Sequence, residues 1–329
     1  MSSLSVSFTD PVLEARVLAG VDEVEVQLAA AVDSPETFVA EAAAHLLTAG
    51  GKRFRPLLTM LCAEFGDPSL PDVVPSAVVV ELTHLATLYH DDVMDEASVR
   101  RGAPSANARW DNSVAILVGD YLFAQASDLV SDLGTDAVRI QARTFSRLVK
   151  GQIRETLGPS DSEDALEHYL SVVSDKTGSL IATAALFGAK MSGASSEVQA
   201  TLTEFGERIG AAFQLSDDII DIASETGESG KTPGTDLREG VPTLPTLIAL
   251  RSTDADSERL RALLSKPLTD DSEHGEALRL LRVHPAMLES RSYVQAEADA
   301  ASALLGRLPD LPARVALQAL CDTVATRLT

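Results

Sequence analysis

The sequence predicts an all-α protein, and three observations carry that reading. Aromatic residues make up only 4% of the 329-residue chain. No sustained run of alternating apolar and polar β-branched residues provides a half-buried strand. The 15 prolines, which break helix interiors and mark helix ends, leave two long gaps, from Pro104 to Pro159 and from Pro159 to Pro233. Both gaps are rich in Ala, Leu, Ile and Val at helical spacing.

The predicted helices begin with 12–31, 36–48 and 53–65, the last closed by Gly66-Asp67-Pro68. A long helix over 74–97 stops before Arg101-Gly102-Ala103-Pro104. Helices over 112–131 and 136–157 fill the first proline gap, and Gly158-Pro159-Ser160 ends the second of them. The next gap holds 163–191, with a break near Lys176-Thr177-Gly178, and 196–223. From Ser224 to Pro242 the chain carries Gly227, Gly230, Gly234 and Gly240 and reads as a long polar loop, the kind of segment that carries binding function. Shorter helices over 243–251 and 256–265 precede two more over 286–306 and 311–327. Residues 252–285 are more polar and read as variable periphery. The expected organisation is one domain over 1–329, with 1–34 as a peripheral N-terminal segment.

Lys and Arg number 27 against 49 Asp and Glu, a net charge of −22, which excludes sequence-independent binding to nucleic acid or anionic lipid. With 45% hydrophobic and 23% charged residues, the composition is that of a globular chain. No uninterrupted apolar run reaches the length of a membrane span, and MSSLSVSFTD lacks the basic and apolar regions of an export signal. Cys62 and Cys321 lie far apart in apolar settings, which argues against a disulfide framework and fits a reducing, cytoplasmic location.

Two segments carry the chemistry. His90-Asp91-Asp92-Val93-Met94-Asp95 and Gln214-Leu215-Ser216-Asp217-Asp218-Ile219-Ile220-Asp221 each contain Asp-Asp-x-x-Asp inside an apolar helical stretch. First and last aspartates stand one turn apart on one helix face, so their carboxylates point together. One such cluster is commonly a solvated acidic face, but two beside apolar surface call for compensating cations. Oxygen-only donors suit Mg²⁺, which keeps waters and completes its shell with phosphates. Basic residues stand where a phosphate site needs them: Lys52 and Arg55 follow the hinge Gly50-Gly51, and Arg100 and Arg101 follow the first acidic motif.

With these motifs in order, the chain resembles the trans-isoprenyl diphosphate synthases, or polyprenyl synthetases, from about residue 35 to its C-terminus. The marks are Gly-Gly-Lys-Arg-Phe-Arg-Pro at 50–56, Glu81 to Asp95, Arg100-Arg101-Gly102, Gly119-Asp120, Lys176-Thr177, Phe213 to Asp221 and Gly230 to Leu237. The resemblance implies an antiparallel helix bundle around a deep central cavity, with both acidic motifs facing each other at its mouth. It implies three Mg²⁺ ions, two on Asp91 and Asp95 and a third on Asp217 with Asp221 in the metal set, and catalytic roles for Asp91, Asp92, Asp95, Lys176, Asp217 and Asp218. Arg100, Lys176, Thr177, Gln214 and Lys231 are then the allylic diphosphate contacts, and Lys52, Arg55, His84 and Arg101 the isopentenyl diphosphate contacts. His84 stands seven residues before Asp91, two turns away on the same face. The expected reaction ionises the allylic C–O bond, adds isopentenyl diphosphate to the cation and loses a proton. The resemblance also implies a homodimer, and hand-off of the product at a membrane is compatible with it.

Within that family a bulky residue four or five positions before the first aspartate stops elongation; here those positions are Thr87 and Ala86. An open tunnel and a product longer than geranylgeranyl diphosphate, suited to a quinone side chain, are expected. The alternatives are a farnesyl or geranylgeranyl diphosphate synthase, a class I terpene cyclase, and a non-catalytic subunit of a heteromeric synthase. The cyclase would have an Asn/Ser/Glu-type second motif and no isopentenyl site, and the subunit would lack intact aspartate motifs; this chain has neither departure.

Overall fold

The computed structural model describes residues 6–224, 233–253 and 257–327. The first helices are α1 (Pro11–Ala31), α2 (Thr37–Thr48) and α3 (Phe54–Ala63), followed by the long α4 (Val73–Met94). A two-residue hairpin, Val99–Arg100 against Ala103–Pro104, leads into the single turn α5 (Ala106–Arg109). Then come α6 (Asn112–Asp132), α7 (Thr135–Leu157), α8 (Ala165–Val173), a π-turn (Ser174–Gly178), α9 (Ser179–Met191) and α10 (Ser196–Ala223). The C-terminal part holds α11 (Thr235–Glu239), α12 (Leu244–Arg251), α13 (Glu258–Leu264), α14 (Asp271–Val283), α15 (Pro285–Leu305) and α16 (Pro312–Thr326).

Several helices start where an Asp or Ser side chain caps free backbone amides. Asp10 accepts from Val12 and Leu13, Asp111 from Val114, Asp164 from Leu166 and Glu167, and Ser195 from Val198. One continuous hydrophobic core runs from Val6 to Val324, with α4, α9 and α10 at its centre. On α10, Gly206 permits the close approach to α9, since a Cβ there would stand 2.5 Å from the Cα of Ala182.

Four expectations change. The N-terminal segment is not peripheral, because Leu13, Val17, Val24 and Leu28 of α1 are buried in the core. The interruption near Lys176 is a π-turn that joins α8 to α9 without a break. The polar region 252–285 contains α14, whose amphipathic pattern buries His274, Ala277, Leu278 and Leu281. The stretch read as loop from Ser224 to Pro242 contains α11, and part of it lies outside the described residues. Helix α6 is long and apolar enough to span a membrane, with a mean hydropathy of 1.3, although Asp120 interrupts it.

Candidate active site

The first acidic motif occupies the last turn of α4. Asp91 and Asp95 stand at i and i+4 there, Asp91 half-buried and Asp95 exposed at the C-cap. Burial pushes Asp91 up to about 6; Lys176 opposes the rise and Asp95 adds to it. Asp92 turns the other way, fully buried, and accepts a hydrogen bond from Nε of Arg100 at 2.6 Å. Arg100 Nη2 also lies 3.8 Å from Asp95. Asp92 and Arg100 therefore act first on each other: the buried carboxylate fixes the hairpin that carries both arginines. The second oxygen of Asp92 is buried without a partner.

The second motif lies near the end of α10, and its aspartates differ. Asp217 is partly exposed and accepts from Nη2 of Arg327 at 2.7 Å. Asp218 is buried; Gln214 Nε2 donates to one oxygen at 3.0 Å and the Tyr169 hydroxyl donates to the other. Burial raises Asp218 to about 7, against the pull of those two donors. Asp221 accepts from the backbone amides of Thr235 and Asp236 at 3.4 Å each, so it also holds the start of α11.

The π-turn brings the two motifs together, as π-turns do at functional sites. Burial works against the charge on Lys176, but Glu155, which accepts from Nζ at 2.5 Å, and the nearby Asp91 and Asp95 together raise its proton affinity. Thr177, the next residue, donates to Oε1 of Gln214 at 3.0 Å. Arg147 of α7 braces the turn, with Nε 2.9 Å from Asp175 and Nη1 2.5 Å from Glu207 on α10.

The basic cluster forms between the loop before α3 and the middle of α4. Gly50 and Gly51 have φ of +92° and +154°, a backbone path that side chains disfavour. Arg53, itself left-handed at φ +46°, pairs with Glu25 and with the buried Glu81 and bonds the carbonyls of Leu47 and Gly50. Arg101 holds the carbonyls of Leu46 and Gly50. Arg55 is lowered to about 10 by burial, with Glu81 opposing, and its Nε is buried without a partner. Burial, together with the charges of Arg55, Arg101, Arg100 and Arg53, holds His84 well below its ordinary 6.5. Lys52 is exposed at the edge of this cluster.

Arg55, His84 and Arg101 thus come together, as do Asp91, Asp95 and Lys176, and Thr177, Gln214 and Asp218. Lys231 lies outside the described residues. Thr87 is half-buried on the Asp91 face and donates to the His84 carbonyl at 2.8 Å. Ala86 is fully buried, about 140° around the helix from Asp91. Tyr169, Arg327 and Arg147 went unrecognised in the sequence, and Glu81 is marked there only as the start of the first motif stretch. Tyr169, seven residues before Lys176, carried a faint helical signal; Arg327 carried none, since its contact spans 110 residues.

Among the described residues no three His, Cys, Asp or Glu side chains converge into a metal cage. The donor set nevertheless fits Mg²⁺, which is bound through one or two carboxylates with water and phosphate oxygens in the remaining positions. Asp217 already attracts a cationic group, the Arg327 guanidinium.

Paired acidic motifs on two helices, a lysine between them and a buried arginine cluster alongside define a class that binds diphosphates with divalent metal. The polyprenyl synthetase family model matches residues 36–281, and the chain belongs to that family. It is 53% identical over 323 residues to a nonaprenyl diphosphate synthase of Mycobacterium tuberculosis, covering 98% of this chain and 96% of that protein. A geranylgeranyl pyrophosphate synthase of Corynebacterium glutamicum, solved with calcium and isoprenyl diphosphate, superposes with a TM-score of 0.89 at 49% identity, over 98% of this chain and 99% of the other. A decaprenyl diphosphate synthase of Rhodobacter capsulatus superposes at 0.88 with 32% identity, over 96% and 98%. The protein is a divalent-metal-dependent prenyltransferase acting on isopentenyl and allylic diphosphates.

Proposed function

We propose that the enzyme makes an all-trans polyprenyl diphosphate longer than geranylgeranyl, as a precursor of a quinone side chain, and works as a single domain in the cytoplasm. The observation that carries the chain-length reading is the pair Ala86 and Thr87, neither bulky, in the turn of α4 below Asp91. Named relatives include makers of long and of shorter chains, and this turn supports the longer product for this chain.

Asp91 and Asp95 would hold two Mg²⁺ ions and Asp217 a third, with Asp221 close by. When bound, Mg²⁺ neutralises the charge that builds on the departing diphosphate. Lys176 faces the same charge from the protein side, with Thr177, Gln214, Arg100 and Lys231 as further allylic contacts. Lys52, Arg55, His84 and Arg101 orient isopentenyl diphosphate; the Nε of Arg55 is a buried donor in want of an acceptor. Neutral His84 can donate one hydrogen bond without adding charge to a cluster already rich in arginine.

A homodimer is the proposed working form. Ile116 and Leu117 on α6 are 43% and 66% exposed, and Ile153 and Leu157 on α7 are 52% and 78% exposed, an apolar surface suited to a helix-packed interface. Release of so apolar a product is compatible with hand-off at a membrane.

The test is incubation of the purified chain with isopentenyl diphosphate, an allylic primer and Mg²⁺, followed by reverse-phase chromatography of the dephosphorylated products. Products longer than geranylgeraniol are expected; termination at farnesol or geranylgeraniol overturns the chain-length reading and leaves the prenyltransferase assignment intact.

A further inference from the structure

A chain of hydrogen bonds crosses from α8 through α10 to the π-turn. The Tyr169 hydroxyl donates to Oδ2 of Asp218, Gln214 Nε2 donates to Oδ1 of Asp218 at 3.0 Å, and Thr177 Oγ1 donates to Oε1 of Gln214 at 3.0 Å. Asp218, at 5% exposure, has a side-chain donor on each oxygen.

The chain has a direction. In the structure both oxygens of Asp218 accept, so Gln214 turns its amino group toward Asp218 and its carbonyl toward Thr177. Thr177 has a single hydroxyl proton, which then goes to Gln214. The orientation of both site side chains is thus set from the buried end, where Tyr169 and Asp218 meet.

Each end adjoins a residue assigned above to the diphosphate site. Thr177 follows Lys176, whose charge acts on Asp91 and Asp95, and Asp218 follows Asp217. A π-turn carries one residue more per turn than its neighbours, so lateral ties decide which way its side chains point. Arg147 ties the turn at Ser174 and Asp175, and the Gln214 bond ties it at Thr177.

We propose that Tyr169 is a positioning residue for the allylic diphosphate side of the site, acting through Asp218 and Gln214 on Thr177 and Lys176 without touching substrate. The proposal rests on the reading of Lys176, Thr177 and Gln214 as allylic contacts. Lys52, Arg55 and His84 stand on or beside α3 and α4, outside this chain of bonds, so its loss acts on one substrate and spares the other.

The experiment is steady-state kinetics of full-length Tyr169→Phe, with KM measured separately for each substrate, together with calorimetric titration of inorganic diphosphate in Mg²⁺. Phe keeps the ring and removes only the hydroxyl. Loss of a buried hydrogen bond to a carboxylate should raise the allylic KM about tenfold or more, leave the isopentenyl KM within about twofold, and weaken diphosphate binding comparably. Thr177→Val, which breaks the chain at its other end, should shift the same substrate. Equal changes in both KM values, or none, for Tyr169→Phe overturn the positioning role. Lys176→Ala separates the two readings: a normal allylic KM there overturns the allylic assignment itself, whereas a raised one beside an unaffected Tyr169→Phe overturns only the proposal for Tyr169.

Discussion

Arg327, at the end of the last helix, donates from Nη2 to Oδ1 of Asp217 at 2.7 Å, so the C-terminal helix is tied directly to the second acidic motif. Its guanidinium lies 5.1 Å from the centre of the Phe213 ring, which stacks on Phe54 at 5.3 Å. Phe54 is the first residue of α3 and follows the basic loop by one position. Arg327 is therefore linked, through Phe213 and Phe54, to the start of α3 as well as to the second acidic motif. Nε and Nη1 of Arg327 are buried without partners, and the side chain is only 7% exposed.

In metal-free protein this contact should be stabilising. Arg327→Gln is expected to lower stability by about 1 kcal/mol in EDTA, a modest figure because Asp217 is partly exposed. The difference should shrink in millimolar Mg²⁺, since a bound ion compensates Asp217 in both forms. Thermal melts in EDTA and in Mg²⁺ check this; an unchanged difference would show that Asp217 takes up no metal.

Asp91→Ala and Asp217→Ala should each reduce turnover by several orders of magnitude while leaving far-ultraviolet circular dichroism nearly unchanged. Neither side chain belongs to the apolar core. Near-normal activity in either variant would remove that residue from the metal set.

Lys52→Ala and Arg55→Ala should raise the apparent KM for isopentenyl diphosphate, each removing one phosphate partner, whereas Lys231→Ala should act mainly through the allylic substrate. Competition kinetics with both substrates varied distinguishes these outcomes. Equal effects on the two substrates would show the basic residues wrongly divided.

His84 predicts a pH dependence of stability. Burial and the surrounding arginines favour its neutral form in the folded chain, while the unfolded chain titrates at the ordinary 6.5. The stabilisation from this residue is present above pH 6.5 and is lost as pH falls below it, because there the unfolded state binds the extra proton. Asp91 and Asp218, raised to about 6 and about 7, contribute with the opposite sign over the same range, so the check is the difference between variants: in denaturant titrations from pH 7.5 to 5, wild type should lose stability relative to His84→Gln.

Thr87→Phe should shift the products toward short chains, because Thr87 shares a helix face with Asp91 about 6 Å along the axis. Ala86→Phe should do the same at some cost in stability, as its position is fully packed. Chromatography of dephosphorylated products reads both; unchanged chain length in both variants places the stop elsewhere.

The sequence by itself determined the helical class, most helix positions within a few residues, and the two acidic motifs with their basic counterparts. It could do so because these are local properties: proline placement, capping residues, apolar spacing, and carboxylates one turn apart on one helix. It did not reveal that Asp92 and Asp218 are buried while Asp91 and Asp217 stay partly exposed, since adjacent aspartates are equivalent until neighbouring helices bury one of them. Nor did it reveal α14, where many charged residues masked a narrow apolar stripe, or the core role of α1, whose buried residues find partners only in later helices. The ties from Tyr169 to Asp218 and from Arg327 to Asp217 cross 49 and 110 residues. Tertiary packing alone decided them, because a hydrogen bond between distant segments depends on where the backbone places them and leaves no periodic trace in the chain.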